Sequence, residues 1–134
     1  MVFYTFDDTE SVNVVKDIID KKYNCNLKRT KEFSLFDLRD KKNKVIVEVK
    51  ERNNKYNKYP TTMIGENKYI KAKYYYNKGY KVLFIFKFTD GIYYYEYCNE
   101  DIKPKIGGRC DRGRPEYKNY IYIDINKLIN ITNN

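Results

Sequence analysis

The sequence predicts an α/β fold, because segments with helical periodicity alternate with short strands along the chain. Apolar residues recur at helical spacing from about Thr9 to Tyr23, and a second helix is expected to run to about Asn77. A two-stranded hairpin lies between the helices, and a strongly apolar strand, Lys81–Phe88, follows the second helix. A chain of 134 residues suits one domain, which we expect to span residues 1–134.

Composition restricts the chemistry that is open to this chain. It contains no His, and its three Cys are widely spaced without a CxxC pair, which disfavours imidazole catalysis and a zinc site. Lys and Arg number 27 against 18 Asp and Glu, which gives a net charge of +9. This excess favours a polyanionic partner, although an AT-rich genome that inflates Lys, Asn and Tyr would produce the same composition.

The chain shows no sign of export or membrane insertion. It does not open on a basic segment followed by an apolar one, and no run of about 18 apolar residues occurs. Its odd number of Cys fits a reducing setting. We expect a soluble intracellular protein, in the cytoplasm or nucleus of a host cell, that is not secreted and binds no membrane. Its abundant Lys, Asn and Tyr are typical of AT-rich viral or mobile-element genomes.

The first helix is predicted by four apolar residues that share one face: Val12, Val15, Ile19 and Tyr23. We expect it to begin at residues 7–9, where two Asp and a Thr are candidate caps. Glu10 would then lie in the first turn, where a carboxylate interacts favourably with the helix dipole. Asn24–Thr30 would connect this helix to the hairpin and has room for a short strand.

The strongest local signal is the hairpin, with predicted strands Glu32–Arg39 and Lys44–Lys50. In the expected register, Asp37 lies opposite Ile46. Because side chains alternate across a strand, one face would be wholly apolar. That face would carry Phe36, Leu38, Val45, Val47 and Val49, and the opposite face would carry Asp37, Glu48 and Lys50.

Two carboxylates and a lysine on one strand face form a candidate hydrolytic site. Asp37 and Glu48 offer the hard oxygen ligands that Mg²⁺ prefers, with Mn²⁺ as a substitute, and the carbonyl of Val49 is a further ligand candidate. A bound cation can polarise a phosphoryl group and activate a water. Lys50 could orient that water or neutralise charge on phosphorus.

The second helix is expected to follow Pro60, with Thr61 or Thr62 as its cap and Gly79 just after its end. Its predicted buried face carries Met63, Ile70 and Tyr74. Its predicted basic face carries Lys68, Lys71, Tyr75 and Lys78.

The C-terminal third is predicted to consist of strands and one long loop. Lys81–Phe88 is so continuously apolar that both its faces should be covered, and a turn leads from it into the strand Ile92–Tyr97. A loop from Cys98 to about Lys118 is longer than an ordinary connection, which indicates a functional or disordered segment. Tyr120–Ile125 is expected to be the last strand, and Asn126–Ile131 a short helical turn.

The element order and the Asp37 … Glu48-Val49-Lys50 motif resemble the PD-(D/E)xK nuclease superfamily, including Holliday-junction-resolvase-like members. The resemblance covers roughly Glu10 to Phe88. It implies a restriction-endonuclease-like core, in which a mixed central β-sheet is flanked by helices. It also implies that Asp37 and Glu48 bind the metal and that Lys50 is the catalytic lysine.

Two further residues enter the site through this resemblance. Glu10 looks like the acidic residue that some resolvase-like members place near the metal from their first helix. Lys68 occupies a position on the second helix where the family often adds a Lys, Gln or Glu. The sequence departs from the family pattern at Phe36, which stands where the family has proline.

Basic and aromatic residues outside the motif are candidate DNA contacts. Tyr56, Tyr59 and Tyr75 could stack on unpaired bases. In the Arg-rich part of the long loop, Gly107 and Gly108 would let the backbone approach a phosphate closely. The candidate phosphate contacts are Arg52, Lys55, Lys58, Lys71, Arg109, Arg112 and Arg114.

Three functions compete at this stage. The first is a Mg²⁺-dependent endonuclease that hydrolyses DNA phosphodiester bonds, with specificity for a DNA structure. The second is a sequence-specific restriction or mobile-element endonuclease, which at this length would have to read its site as a homodimer. The third is a non-catalytic nucleic-acid-binding module on a nuclease fold.

Overall fold

The computed structural model describes residues 2–30, 36–109 and 116–131. The helices are α1 (Val2–Tyr23) and α2 (Glu66–Asn77), and a 3-10 turn spans Ile125–Lys127. The strands are β1 (Lys28–Arg29), β2 (Leu38–Asp40), β3 (Val45–Glu51), β4 (Thr61–Gly65), β5 (Lys81–Phe88), β6 (Gly91–Glu96), β7 (Lys105–Arg109), β8 (Glu116–Asp124) and β9 (Ile129–Asn130).

The strands form two sheets, and the larger one carries the predicted motif. Its order is β1-β2-β3-β5-β6-β9, and only the β3–β5 pair in it is parallel. The smaller sheet has the order β4-β8-β7 and is antiparallel. A mixed central sheet accompanied by two helices confirms the predicted α/β class and its restriction-endonuclease-like core.

The core lies on both faces of the central strands, as predicted for β5. On one face, α1 packs Val15 and Ile19 against Val47 of β3. On the other face, α2 packs Tyr69 and Ala72 over a second cluster. That second cluster also contains residues of the central and smaller sheets, including Phe84, Phe86, Ile121 and Ile123. In the described part of the chain, neither helix combines the length and the apolar character that a bilayer-spanning helix needs.

The predicted start of α1 was wrong, whereas its buried face was right. The helix begins at Val2, so residues 7–9 lie inside it and Glu10 lies beyond its first turn. Asp and Thr are tolerated within a helix, and their presence favours a cap only where the chain upstream is not helical. The buried face carries Val12, Val15 and Ile19, with Tyr23 partly buried against the same cluster. The connection after α1 contains the expected short strand, β1.

The hairpin forms with a register that differs from the prediction by two residues. Arg39 pairs with Ile46, and Leu38 pairs with Val47. The turn explains the difference: Asp40 pairs with Val45, so the loop consists of residues 41–44, and Lys44 adopts a left-handed φ of 55°. A register shift of two residues does not change the face of the sheet to which each side chain points. Leu38 therefore still shares a face with Val45 and Val47. Of the predicted first strand, residues 32–35 lie outside the described residues.

Phe36 lies on the opposite face from the one predicted. The chain bends at Phe36 and Asp37, just before β2 begins, so strict alternation does not extend back to them. Phe36 packs with Ile46 and Phe84 in the cluster under α2, and its ring lies 5.8 Å from that of Tyr75 at nearly a right angle. An aromatic side chain of this size therefore lies beside the motif, between the sheet and α2.

A buried carboxylate that the sequence did not single out closes the hairpin. Oδ2 of Asp40 accepts hydrogen bonds from the Asn26 backbone N (2.8 Å) and from Nδ2 of Asn43 (2.7 Å), and Oδ1 accepts from the Asn43 backbone N (3.0 Å). These donors lower the pKa of Asp40 to about 2, the Asn26 backbone N–H contributing most. The carboxylate thereby ties the loop that precedes β1 to the hairpin turn.

We expect Asp40→Asn to destabilise the protein at neutral pH by about 2 kcal/mol, because an amide cannot accept all these bonds. A pKa lowered on folding stabilises the folded state above the unfolded pKa of 3.8, and this contribution disappears as pH falls towards 2. The difference in free energy of unfolding between the two proteins should therefore shrink in acid. Urea unfolding at pH 7 and pH 3 measures it, with the exposed Asp101→Asn as the control. An equal difference at both pH values would contradict this assignment.

The second helix begins later than predicted and buries a different face. Thr61 and Thr62 belong to β4, which pairs with β8, and α2 begins at Glu66 with Gly65 as its N-cap. The predicted buried residues are exposed: Ile70 by 64%, Tyr74 by 46% and, on β4, Met63 by 36%. Tyr69 and Ala72 are buried instead, because the β4–β8 pairing fixes where the helix starts and which side meets the sheet. The predicted end is confirmed, since Gly79 follows the C-cap with a φ of 89°.

The C-terminal region contains more strand than the sequence predicts. Lys81–Phe88 is confirmed as β5 with the predicted bounds, and β6 follows the expected turn. The predicted loop contains β7 and the start of β8, which pair with each other, and residues 110–115 lie outside the described residues. After β8 the chain forms a 3-10 turn and then β9 on the edge of the larger sheet, so Tyr120–Ile125 is not the last strand and residues 126–131 are not a helical turn.

Candidate active site

Asp37 is held in place by two hydrogen bonds to β3. Its backbone N donates to the Val47 carbonyl at 3.0 Å, and its Oδ2 accepts from the Val49 backbone N at 2.8 Å. The side chain thus bonds the backbone of β3 where the β2–β3 pairing has ended. This contact brings the carboxylate to the part of β3 that carries Glu48 and Lys50, as the sequence predicted.

Glu48 is a buried carboxyl group surrounded by charged neighbours. It is 2% exposed and shares a hydrogen bond with the Asp37 carboxyl group. Burial raises the pKa of Glu48 to about 7, and the adjacent Asp37 adds to this shift. A neighbouring carboxyl group and burial both disfavour the charged form of Glu48, and a cation bound beside it would favour that form.

Two lysines meet the same carboxylate oxygen. Nζ of Lys50 lies 3.1 Å from Oε2 of Glu48, and Nζ of Lys68 on α2 also contacts Oε2. Burial lowers the pKa of Lys68, with Lys50 adding to the shift. The pKa of Lys50 is raised instead: burial alone would lower it, but the Glu48 carboxylate and the neighbouring Lys68 together outweigh that effect.

The position of Lys68 agrees with the expectation from the family resemblance. Helical spacing alone placed Lys68 on a solvent-facing basic surface with Lys71 and Lys78. In the structure it points inward to Glu48, while Tyr75 packs against Phe36 and Tyr80, so the predicted basic face is not continuous. The packing of α2 on the sheet turns this lysine toward the motif.

Glu10 lies on the other side of β3. It lines a pocket of about 300 Å³ together with Ser11, Val14, Glu51 and Lys87. The Ser11 hydroxyl donates to Glu51, and Nζ of Lys87 lies 3.5 Å from the same Glu51 oxygen. The structure therefore places Glu10 beside Glu51, a neighbour that local sequence patterns did not indicate because only the packing of α1 on β3 brings the two together.

The arrangement fits a hard divalent cation held by few protein ligands. In a β-strand the N–H and C=O of one residue point to the same side, so the Val49 carbonyl faces the side from which Asp37 approaches. No group of three or more His, Cys, Asp and Glu side chains within the described ranges is arranged to hold a metal ion. The candidate donors are Asp37, Glu48 and the Val49 carbonyl, and Mg²⁺ commonly combines one or two carboxylates with water and phosphate oxygens.

The candidate phosphate contacts differ in how free their side chains are. Arg52 is engaged by the protein: it donates to the Met63 carbonyl at 2.7 Å and to the Thr62 hydroxyl at 3.3 Å, and burial lowers its pKa. Lys55 and Lys58 are exposed, and Nζ of Lys71 lies 4.2 Å from the ring centre of Tyr74. Of the loop arginines, Arg109 ends β7, while Arg112 and Arg114 lie outside the described residues.

Gly107 serves packing within the smaller sheet. A Cβ atom there would lie 2.6 Å from the hydroxyl oxygen of Tyr122 and 2.7 Å from a ring carbon of Tyr120. The space above this glycine is therefore filled by the rings of two tyrosines on β8. A phosphate is therefore excluded from the side of Gly107 on which a side chain would lie.

Comparison with protein-family models matches residues 2–131 to the family described as "Phage putative PDDEXK endonuclease". The chain belongs to this family. The match extends beyond the region of the motif on both sides and includes α1 and the smaller sheet. No curated protein and no solved structure matched the chain in two further comparisons.

The family match includes the residues that meet at β3. The resemblance described above assigns Asp37, Glu48 and Lys50 to the acid–acid–lysine pattern of such endonucleases. These residues come together at the point where β2 and β3 separate, with Lys68 added from α2. Family membership supports nuclease activity and a phage origin.

Proposed function

We propose that this protein is a Mg²⁺-dependent endonuclease that hydrolyses DNA phosphodiester bonds, with Mn²⁺ able to replace Mg²⁺. The observation that carries the proposal is the contact of Asp37 with Glu48, beside Lys50 and Lys68, in a chain of the PDDEXK family. Asp37, Glu48 and the Val49 carbonyl would hold the cation. When bound, the cation would polarise the phosphodiester and stabilise charge on the leaving oxygen.

The two lysines have different roles in this proposal. The Lys50 side chain is one-third exposed, so its ammonium group can reach a phosphate in solvent while it stays within 3.1 Å of Glu48. It would orient the attacking water and offset negative charge that develops on the phosphate. Lys68 is less exposed and holds the Glu48 carboxylate in place, which makes it a positioning residue.

The charge of the chain supports DNA as the substrate. A net charge of +9 attracts a polyanion, and Lys55 and Lys58 present ammonium groups just beyond β3. Lys71 and the arginines 52, 109, 112 and 114 are further candidate contacts. Structure-specific cleavage is the preferred form of the activity, and a homodimer is the arrangement by which a chain of this length would cut both strands.

Cleavage of branched, nicked and linear DNA, with Mg²⁺ and with EDTA, tests the proposal. We expect cuts only with the metal and loss of cutting in Asp37→Asn. Glu96→Gln is the matched control. Glu96 is an exposed carboxylate on β6, which is separated from β3 by β5, and it forms an ion pair with Lys81. Cutting that persists in Asp37→Asn would mean that the proposed site is wrong.

The same assay separates the competing functions. Junction-dependent cuts would favour a structure-specific enzyme, whereas discrete fragments from a long linear duplex would favour a sequence-specific one. Salt-dependent DNA binding without cleavage in any divalent metal would favour a non-catalytic binding module.

We expect Lys50→Ala to reduce cleavage by roughly a hundredfold or more, because it removes a positioned cation from the developing charge. Lys68→Ala should have a smaller effect, roughly tenfold, because it acts through Glu48. Both should bind DNA almost as tightly as the unchanged protein. Single-turnover cleavage and DNA binding in EDTA measure the two effects, with Lys73→Ala on the exposed side of α2 as the control. A larger loss for Lys68→Ala than for Lys50→Ala would reverse the assigned roles.

A further inference from the structure

An aromatic pocket of about 330 Å³ opens beyond the end of β3, next to the candidate active site. We call it the Tyr59 pocket and define it by Arg52, Asn54, Tyr56, Tyr59, Thr61 and Met63, all of which line it. Its volume is at the lower end of the range for small-molecule sites. It combines aromatic rings with an amide, a hydroxyl group and a guanidinium group, which is a mixture suited to a flat polar ring.

One wall of the Tyr59 pocket is fixed by the protein's own packing. The ring of Tyr56 stacks on Tyr93 with centres 3.9 Å apart and planes 6° apart, and its hydroxyl donates to the Ile125 carbonyl at 3.0 Å. The rings of Tyr56 and Phe88 also lie nearly at right angles, with centres 5.8 Å apart. This wall is therefore built before any ligand arrives.

Tyr59 differs from Tyr56 in being open to solvent. It is 53% exposed, and Nζ of Lys58 lies 5.5 Å from its ring centre. The backbone beside it is anchored, because the Pro60 carbonyl accepts a hydrogen bond from the Ile125 backbone N at 2.9 Å. An exposed ring on an anchored backbone, with an ammonium group beside it, can stack on a base whose phosphate lies nearby.

Arg52, which lines the pocket, lies close to the candidate active site. Arg52 follows Lys50 by two residues, which corresponds to about 7 Å along an extended chain. The guanidinium group is close enough to Glu48 and Lys50 to influence the pKa of Lys50 and to be influenced by Glu48. Arg52 is held by Thr62 and Met63 of β4, so it connects the two sites through fixed structure.

We propose that the Tyr59 pocket receives an unpaired nucleobase of the DNA strand held at the active site. The base would stack on the ring of Tyr59, while Asn54 and Thr61 would supply hydrogen bonds to its polar edge. Charge complementarity favours this occupant over a protein side chain, because the chain carries a net charge of +9 and Lys58 flanks the ring. The proposal rests on the proposed function, to which it adds a preference for DNA with an unpaired base near the cut.

Binding to matched DNA probes in EDTA tests the pocket separately from cleavage. The probes are a duplex with one unpaired adenine, the same duplex with an abasic site at that position, and a fully paired duplex. Stacking of one base contributes roughly 1–3 kcal/mol, so the protein should bind the adenine probe roughly 5- to 150-fold more tightly than the abasic one. Tyr59→Ala should remove this preference, and Tyr59→Phe should keep it, because the ring and not the hydroxyl stacks.

Tyr76→Ala is the matched control, since Tyr76 is a tyrosine of similar exposure (40%) that packs on Tyr97. It should bind all three probes like the unchanged protein. Equal affinity of the unchanged protein for the adenine and abasic probes would overturn the proposal that the pocket binds a base. A preference for the adenine probe that persists in Tyr59→Ala would overturn it as well. The same probes are then incubated with Mg²⁺. A preference for the adenine probe without any cleavage would refute the proposed function but would still support base binding in the pocket.

Discussion

Replacing Glu48 with Gln is expected to reduce DNA cleavage by roughly a thousandfold while the protein stays folded. Glu48 lies at the centre of the candidate site, where Asp37, Lys50 and Lys68 all contact its carboxyl group. Gln keeps the shape and can still hydrogen-bond to Asp37, but it offers a cation only a neutral oxygen. Burial already raises the pKa of Glu48 to about 7, so a neutral side chain is tolerated at this position.

Single-turnover cleavage in Mg²⁺ measures this effect, and circular dichroism with urea unfolding checks the fold. Glu66→Gln is a suitable control, because Glu66 is a partly exposed carboxylate at the start of α2, outside the motif. Cleavage by Glu48→Gln at nearly the original rate would exclude Glu48 as a metal ligand. If Glu48→Gln does not fold, Glu48→Asp takes its place in the assay. This variant keeps the charge and should retain the fold with reduced cleavage.

Phe36→Ala is expected to lower the free energy of unfolding by roughly 3–5 kcal/mol, the largest stability effect that we predict. Phe36 is 1% exposed and fills the space between the central sheet and α2, where its ring contacts Tyr75 and Phe84. Its removal would leave a cavity directly beside Asp37. We therefore also expect weaker cleavage at temperatures where the variant is still folded.

Urea unfolding of Phe36→Ala is best compared with Ile70→Ala. Ile70 is 64% exposed in the structure, although helical spacing predicted it to be buried, and its truncation should change stability by about 0.5 kcal/mol or less. If Ile70→Ala were as destabilising as Phe36→Ala, the face of α2 that meets the sheet would be assigned incorrectly.

Local sequence patterns determined the elements whose burial is regular. Alternation of apolar and polar residues in β3 placed Glu48 and Lys50 on one face, and this survived a register error because the error was an even number of residues. The continuous apolar run of β5 gave both its bounds and its coverage on two faces. In each case the signal lies in neighbouring residues, whose side chains must face a core or solvent whatever the rest of the chain does.

Other features depend on contacts between distant parts of the chain. β4 and β7 exist because each pairs with β8, and short polar strands of this kind carry little periodicity of their own. The bend at Phe36, which moves its ring to the α2 face, likewise reflects packing with Tyr75 rather than alternation. Such pairings bury surface only when the whole fold forms, so they are invisible in a short window of sequence.

By itself, the sequence determined the α/β class, the acid pair and the lysine that the strands bring together, and the positive charge that favours DNA. Only the tertiary structure decided that Lys68 turns inward to Glu48, that Arg52 is held against β4, and that Glu10 lines a pocket with Glu51. The physical reason is the same for all three. The direction of a side chain on a helix or strand end is set by the surface against which that element packs, and this surface is assembled from remote segments.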